Sequence, residues 1–345
     1  MKGISGRFGL EVMIGLGMAA AMACAAMAQA PTTPAATLLQ SASHLSLSNG
    51  QITAIVYPPG DKAFYRGTRF DHAGVVGSLK LKGTEFYGPW FSATAPDVRD
   101  FSWTAEGVVT GPASSTMGPA EEFDPVGFDA AAPGGTFLLP GVGLLIRPDD
   151  KPYNHFAGYA RASGSDKRTV TSTRNSVTFV HTVAGSGFGY VYTKTLTLVP
   201  GKPQLVISHV LRNTGTRPIG SSVYDHNFIT VNPGQGDMGV TLPFAPPQPT
   251  AQQHLAVTGN TISWPQPLEE RQSGAMTMSE TPQVYDFTTT DRKTAASIRA
   301  QADVPASQYK LWSIKTVMAV EPYVALDIAP GAQKRWTYTY TYSVR

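Results

Sequence analysis

Cysteine is all but missing: the 345 residues contain one, Cys24, and it lies within the first thirty. The rest of the chain therefore has no disulfide, no thiolate nucleophile and no cysteine-held metal, and its stability must rest on the size of its core. Charge is also scarce and balanced, with 27 Lys and Arg against 24 Asp and Glu, only 15% of residues. Such a surface gives no electrostatic reason to expect nucleic acid or an anionic membrane as partner, and a small neutral ligand fits it better. Beyond the N-terminal segment no apolar stretch approaches the roughly 20 residues that span a bilayer. The sequence also lacks an internal repeat, a P-loop, a dinucleotide fingerprint, a GxSxG elbow and an HExxH pair. Most nucleotide-dependent, serine-hydrolase and zinc-protease readings go with them.

What the chain has in quantity is glycine and proline, 34 and 27 residues, which describes many short strands joined by many turns. The first thirty residues read as a signal peptide, Lys2 and Arg7 preceding a small-apolar run that closes on Ala28, Gln29 and Ala30. They imply a mature protein that is periplasmic or secreted. Cys24 after Ala21, Met22 and Ala23 leaves a lipoprotein as the other reading, without the usual leucine. Residues 31–46, rich in Pro, Thr and Ala with no burial period, are expected to be a flexible lead-in. Residues 47–345 are expected to form a single all-β domain.

A hairpin is expected around Asn49-Gly50, between Leu45 to Leu47 and Ile52 to Tyr57. Period-two patterning predicts strands at 77–81, 176–183, 190–199, 204–212, 222–231, 254–264, 313–320 and 335–344. The last sets Trp336, Tyr338, Tyr340 and Tyr342 on one face and threonines on the other. Thr294 to Ala302 alone has helix-like composition. The loops 95–141 and 235–249 are long enough to suggest function.

Two segments carry the candidate chemistry. LRNTGTRPIGSSVYDHNFI, from Leu211 to Ile229, is two strands about a Gly/Pro turn, the second bearing Asp225, His226 and Asn227. VMAVEPYVALDIAPGAQKRWTYTY sets Glu321 at a strand end before Pro322, ahead of a Pro330-Gly331 turn and the aromatic final strand. From about Val199 onward this order resembles the galactose mutarotase-like superfamily, which includes aldose 1-epimerases and hexose-phosphate epimerases. The resemblance implies a large antiparallel β-sandwich, a carbohydrate partner, and His226 and Glu321 in the places of the catalytic His and Glu. Anomerisation needs a base for the anomeric hydroxyl and an acid for the ring oxygen; the resemblance gives these roles to Glu321 and His226, with burial expected to lift the Glu toward neutral pH. The superfamily usually adds a second His on an earlier loop beside an Arg. The comparable stretch here, Leu139 to Arg147, has none, which leaves His72 and His155 to take its place.

Arg69 and His72 in RGTRFDHAG, with His155, Asp225 and Asn227, are the candidate sugar-binding residues, since Arg and Asp can pair with vicinal hydroxyls. The same Arg66, Arg69, Asp71 and His72 could equally be a surface salt-bridge cluster. His181 and His209 alternate in phase with apolar neighbours and read as buried structural residues. No cofactor is expected, and no metal site from these residues alone: Asp71-His72 and Asp225-His226 are adjacent pairs, and strand neighbours point to opposite faces, so a metal would need ligands from elsewhere, which leaves calcium open ahead of zinc. The function expected is an aldose 1-epimerase-like isomerase, the alternatives being a non-catalytic carbohydrate-binding protein or an accessory domain of a glycan-degrading enzyme.

Overall fold

The computed structural model describes residues 31–231 and 237–345. The segment read as a signal peptide lies outside the described residues, as do the first residues of the loop expected at 235–249. The long patterned strands are present, as Ser176–Gly185, Phe188–Leu198, Gln204–Asn213, Ile219–Phe228 and Gln333–Ser343. Three expectations shift. Residues 254–264 form a small hairpin, Ala256–Thr258 with Thr261–Ser263. The stretch 313–320 straddles the turn between Gln308–Ile314 and Val317–Ile328. Within the helix-like stretch, Ser297–Ala302 is instead a strand held between Asp286–Asp291 and Gln333–Ser343, with Ile298 and Ala300 buried. Pairing on both edges and a buried face outweigh its modest helical propensity.

The stretch 31–46 carries regular structure. Thr33–Pro34 pairs with Ala93–Thr94, and Ala35–Ser41 is a short helix with Ala35 buried beneath it. Small Pro, Thr and Ala residues dock there without the period that a longer amphipathic element would show. In the first hairpin the positive φ falls on Gly50 alone, while Asn49 caps the turn by accepting the Gln51 and Ile52 amides on Oδ1.

Two antiparallel sheets form the sandwich. The larger has ten strands and includes Ser176–Gly185, Phe188–Leu198, Gln204–Asn213 and Gln333–Ser343 as consecutive neighbours. The smaller has five, in the spatial order Ser273–Ser279, Gln308–Ile314, Val317–Ile328, Ile219–Phe228, Gly118–Phe123. Their inner faces share one core, in which Trp336, Tyr338, Tyr340 and Tyr342 of the final strand are all buried as the alternation requires. A second core cluster, with Phe64, Phe70, Trp90 and Phe228, lies on the other side of the five-stranded sheet. That outer face is therefore covered at its margins and hollow at its centre.

Candidate functional site

The register of the five-stranded sheet assembles the site. Tyr224 pairs with Tyr323, and Ile229 bridges Met318. Both pairs lie on one register, which sets Glu321 opposite His226. Lys310 lies opposite Glu321 on the next strand, and Thr277 opposite Lys310 beyond it. Period-two alternation then lays side chains in rows on the outer face. One row runs His226, Glu321, Lys310, Thr277; a second has Phe228, Ala319 and Trp312; a third has Glu122, Tyr224 and Tyr323. Glu321 is not at a strand end as expected but inside Val317–Ile328, and Pro322 fits there because pairing with Ile219–Phe228 stops at Tyr224–Tyr323 and returns only at the Ile229–Met318 bridge, so no rung on that side calls for its missing amide. Above the rows opens a cleft of about 460 Å³, walled by Trp90, Phe156, Phe228 and Trp312 with His226, Glu321, Arg69 and Lys310 on its floor and rim.

His226 Nε2 lies 3.2 Å from Glu321 Oε1. The imidazole is pinned by stacking on Phe228 at 3.9 Å and by edge contacts with Phe70 and Trp312. Burial, aided by Glu122 against the pull of Arg69, pushes the Glu321 carboxyl up to about 7. Burial and then the Arg69 charge hold His226 well below the usual imidazole range. In the resting site the imidazole is thus neutral, and the ionisable proton near pH 7 belongs to Glu321.

Arg69 comes from the irregular segment between the first strands and the sheet. Tyr65 Oη accepts the amides of Arg69 and Phe70, and Phe70 bridges Glu122, so the segment is tied down on both sides. Gly67 is required there, because a Cβ would lie 2.5 Å from Tyr65 Oη. Arg69 Nε donates to Glu122 Oε2 at 2.5 Å and Nη2 to Tyr224 Oη at 3.2 Å, while Tyr224 itself donates to Glu122. His155 Nδ1 sits 2.7 Å from the other Glu122 oxygen. Burial would raise Glu122, but Arg69 with His155 and Tyr224 holds it down at about 2. The guanidinium is thereby fixed beside the cleft with its charge already matched.

The candidate residues divide between the two faces of the sheet. His226, Glu321 and Arg69 line the cleft. His155 stands behind Arg69 on Glu122, next to Phe156 of the cleft wall. Asp225 and Asn227 do not join them: they alternate with His226 and are buried in the inter-sheet core, where Tyr340 donates to Asp225. His72 also faces elsewhere, with Nε2 2.7 Å from Gly67 O and 3.3 Å from Arg161. The RGTRFDHAG segment is therefore neither one surface cluster nor one site, for Asp71 turns inward to Lys194. That interior group joins Asp71, Glu121, Lys194 and His209, the last 2.8 Å from Glu121 and stacked on Trp336; His181, held apart from it between Asp166 and Tyr190, is buried as His209 is. Among the described residues no three His, Cys, Asp or Glu side chains are grouped to hold a metal ion, and no helix is long and apolar enough to cross a membrane.

Glu122, Tyr224, Tyr323 and Lys310 were not anticipated. The same alternation that assigns Phe228 to the face of His226 would have found Tyr224. Nothing in Glu121-Glu122 says which acid faces the cleft.

No family model matches the chain, and no curated protein resembles it in sequence. Solved structures do resemble it. A galactose mutarotase-like protein from Lactobacillus casei ATCC 334 aligns with a TM-score of 0.52 at 14% identity, over 87% of this chain and 100% of that one. The Slr1438 protein of Synechocystis sp. PCC 6803 aligns with a TM-score of 0.50 at 10% identity, over 88% and 98%. The fold is the galactose mutarotase-like β-sandwich.

Proposed function

We propose that this chain is an exported aldose 1-epimerase-like enzyme that interconverts sugar anomers by acid/base ring opening. The observation that carries the reading is the juxtaposition of Glu321 and His226, 3.2 Å apart at the floor of an aromatic-walled cleft. A pyranose seated on Trp312 or Trp90 presents an apolar ring face to the indole and its hydroxyls to Arg69 and Lys310. With the proton on Glu321 and the imidazole neutral, the pair is at rest. Transfer of that proton to His226 leaves a carboxylate beside an imidazolium, each favouring the other's charged form. Glu321 then takes the proton of the anomeric hydroxyl as the C1–O5 bond breaks and the C1 carbonyl forms. The electron pair goes to O5, which takes the His226 proton. Rotation about C1–C2 and reversal of the steps give the other anomer. A raised carboxyl near the working pH is what general acid/base catalysis uses best.

The test is anomerisation of freshly dissolved α-glucose and α-galactose, followed by polarimetry or proton NMR at a pH where the spontaneous reaction is slow. Wild type accelerates it, while Glu321→Gln and His226→Asn lose about 10²–10⁴-fold. No acceleration, with sugar binding retained, would leave a non-catalytic carbohydrate-binding protein. Export rests on Lys2, Arg7 and the run ending Ala28-Gln29-Ala30. N-terminal sequencing of protein recovered from the periplasm or medium should read from Pro31; a chain retained whole in the cytoplasm would reject that part.

A further inference from the structure

A second cavity, of about 490 Å³, shares no lining residue with the cleft. Its cationic groups are Arg66, Arg161 and Arg168, and His72, Tyr65 and Val170 complete much of its wall, with no carboxylate among the lining residues. The three guanidinium groups come from separate stretches of chain. Arg168 is on the edge strand Ser165–Ser172, Arg161 precedes it, and Arg66 follows Tyr65 in the tied-down segment. Arg161 and Arg168 are drawn together because both donate to Val142 O, at 2.5 and 3.0 Å. Asp166 offsets part of the charge, 2.9 Å from Arg168 and 3.8 Å from Arg161, but it also faces His181 at 2.8 Å. Among the described residues Asp166 is the one carboxylate within ion-pair distance of these three guanidinium groups, which leaves a local positive excess. Arg161 is lowered by burial and then by Arg168, and His72 is driven down to about 3 by burial and then by Arg161 and Arg168. His72 therefore stays neutral and contributes an apolar ring face against Tyr65, 5.5 Å between centroids. Val170, one of the few large apolar side chains left exposed, adds to the floor.

Like charges held this close by a shared carbonyl repel, and Asp166 offsets only part of that cost, so a further acceptor of opposite sign would be favoured between them. The buried Arg168 Nε has no acceptor either. From this grouping we infer a second ligand site, separate from the cleft, that binds a small oxyanion: a carboxylate, sulfate or phosphate group set between Arg66, Arg161 and Arg168. Guanidinium forks match planar and tetrahedral oxyanions by paired hydrogen bonds, and the Tyr65, His72 and Val170 wall accepts an organic body attached to the anion.

The experiment is isothermal titration of the full protein with sodium sulfate, sodium phosphate and sodium glucuronate, with glucose as the uncharged control and chloride holding ionic strength constant. Saturable binding is expected with at least one oxyanion. Arg161→Gln should weaken it about tenfold or more, as for a lost charged hydrogen bond. Arg66→Gln should weaken it roughly two- to fivefold. Among the described residues Arg66 donates to the carbonyls of Ala63 and Asp61 alone, so its variant tests the site even where Arg161→Gln disturbs the fold. Sulfate or phosphate binding alone marks a free inorganic ion as the ligand; glucuronate binding alone marks a carboxylated sugar. Absence of saturable binding to all three, or binding unchanged in both variants, overturns the inference.

Discussion

The two faces of the five-stranded sheet are built from neighbouring residues and have opposite electrostatic designs. Glu121 and Glu122 are adjacent, as are Asp225 and His226, and each pair sends one member inward and one outward. Inside, Lys194 bonds Asp71 and Glu121, which with His209 holds Glu121 at about 2 in spite of burial. Burial raises Asp71 to about 7 and carries Asp225 well above the carboxylate range, so the interior sheds the charge that it cannot pair. Outside, Glu122 is neutralised by Arg69, whereas Glu321 is left with a neutral imidazole as its nearest partner. A buried acid with no matched cation is an expense in a core and an asset in a cleft, because only there can its proton move to something else.

The largest effect should come from breaking the inner design. Lys194→Met leaves Glu121 and Asp71 buried without their cation and is expected to cost about 3–5 kcal/mol in urea unfolding at pH 8. The loss should shrink at pH 5, where Asp71 accepts a proton. On the outer face Glu321→Gln should fold normally and lose only the anomerisation rate, by the 10²–10⁴-fold given above; a comparable unfolding there would mean that the cleft acid is structural. The pH dependence sharpens the contrast. The Glu321 carboxyl is raised from 4.5 to about 7, so the folded state keeps a proton that the unfolded chain has released. Its contribution is present at low pH and lost as pH rises from 4.5 through 7, by about 3 kcal/mol in all. Relative to wild type, Glu321→Gln should therefore gain stability between pH 5 and pH 8 in parallel denaturation curves. The smallest effect is expected from Trp312→Phe, which keeps an aromatic wall and should weaken sugar binding by about 0.5–1.5 kcal/mol in a titration, without changing the pH profile.

How far the sequence could be read follows from the same alternation. RWTYTYTYSV declares its buried face because one face is entirely aromatic. His226 and Glu321 could be picked out because their segments resemble a known superfamily over the chain's second half. Asp225 and Asn227 flank His226 in sequence, but strand geometry sends them the other way, into the core. Arg69 could be named, but its direction could not: it lies outside any regular strand, and what aims it is Glu122, 53 residues later. The grouping of Arg66, Arg161 and Arg168 was equally hidden, since a carbonyl at Val142 brings two of them together and no local pattern records that. Thr294 to Ala302 misled because alanine content reports propensity, while two flanking strands determined the outcome.

The packing of Trp90 and Trp312 has an optical consequence. Of the five tryptophans, these two line the cleft, 5.9 Å apart, while Trp264 and Trp336 are sealed in the core. A ligand that displaces water from the cleft changes the surroundings of Trp312 and Trp90 and leaves the sealed indoles as they were. Intrinsic emission therefore has a responsive part and a constant part within one molecule. Because the His226 ring meets Trp312 edge-on at 5.4 Å, a charge arriving on that imidazole also enters the emission. Occupancy and proton position can be followed by fluorescence in the unlabelled protein.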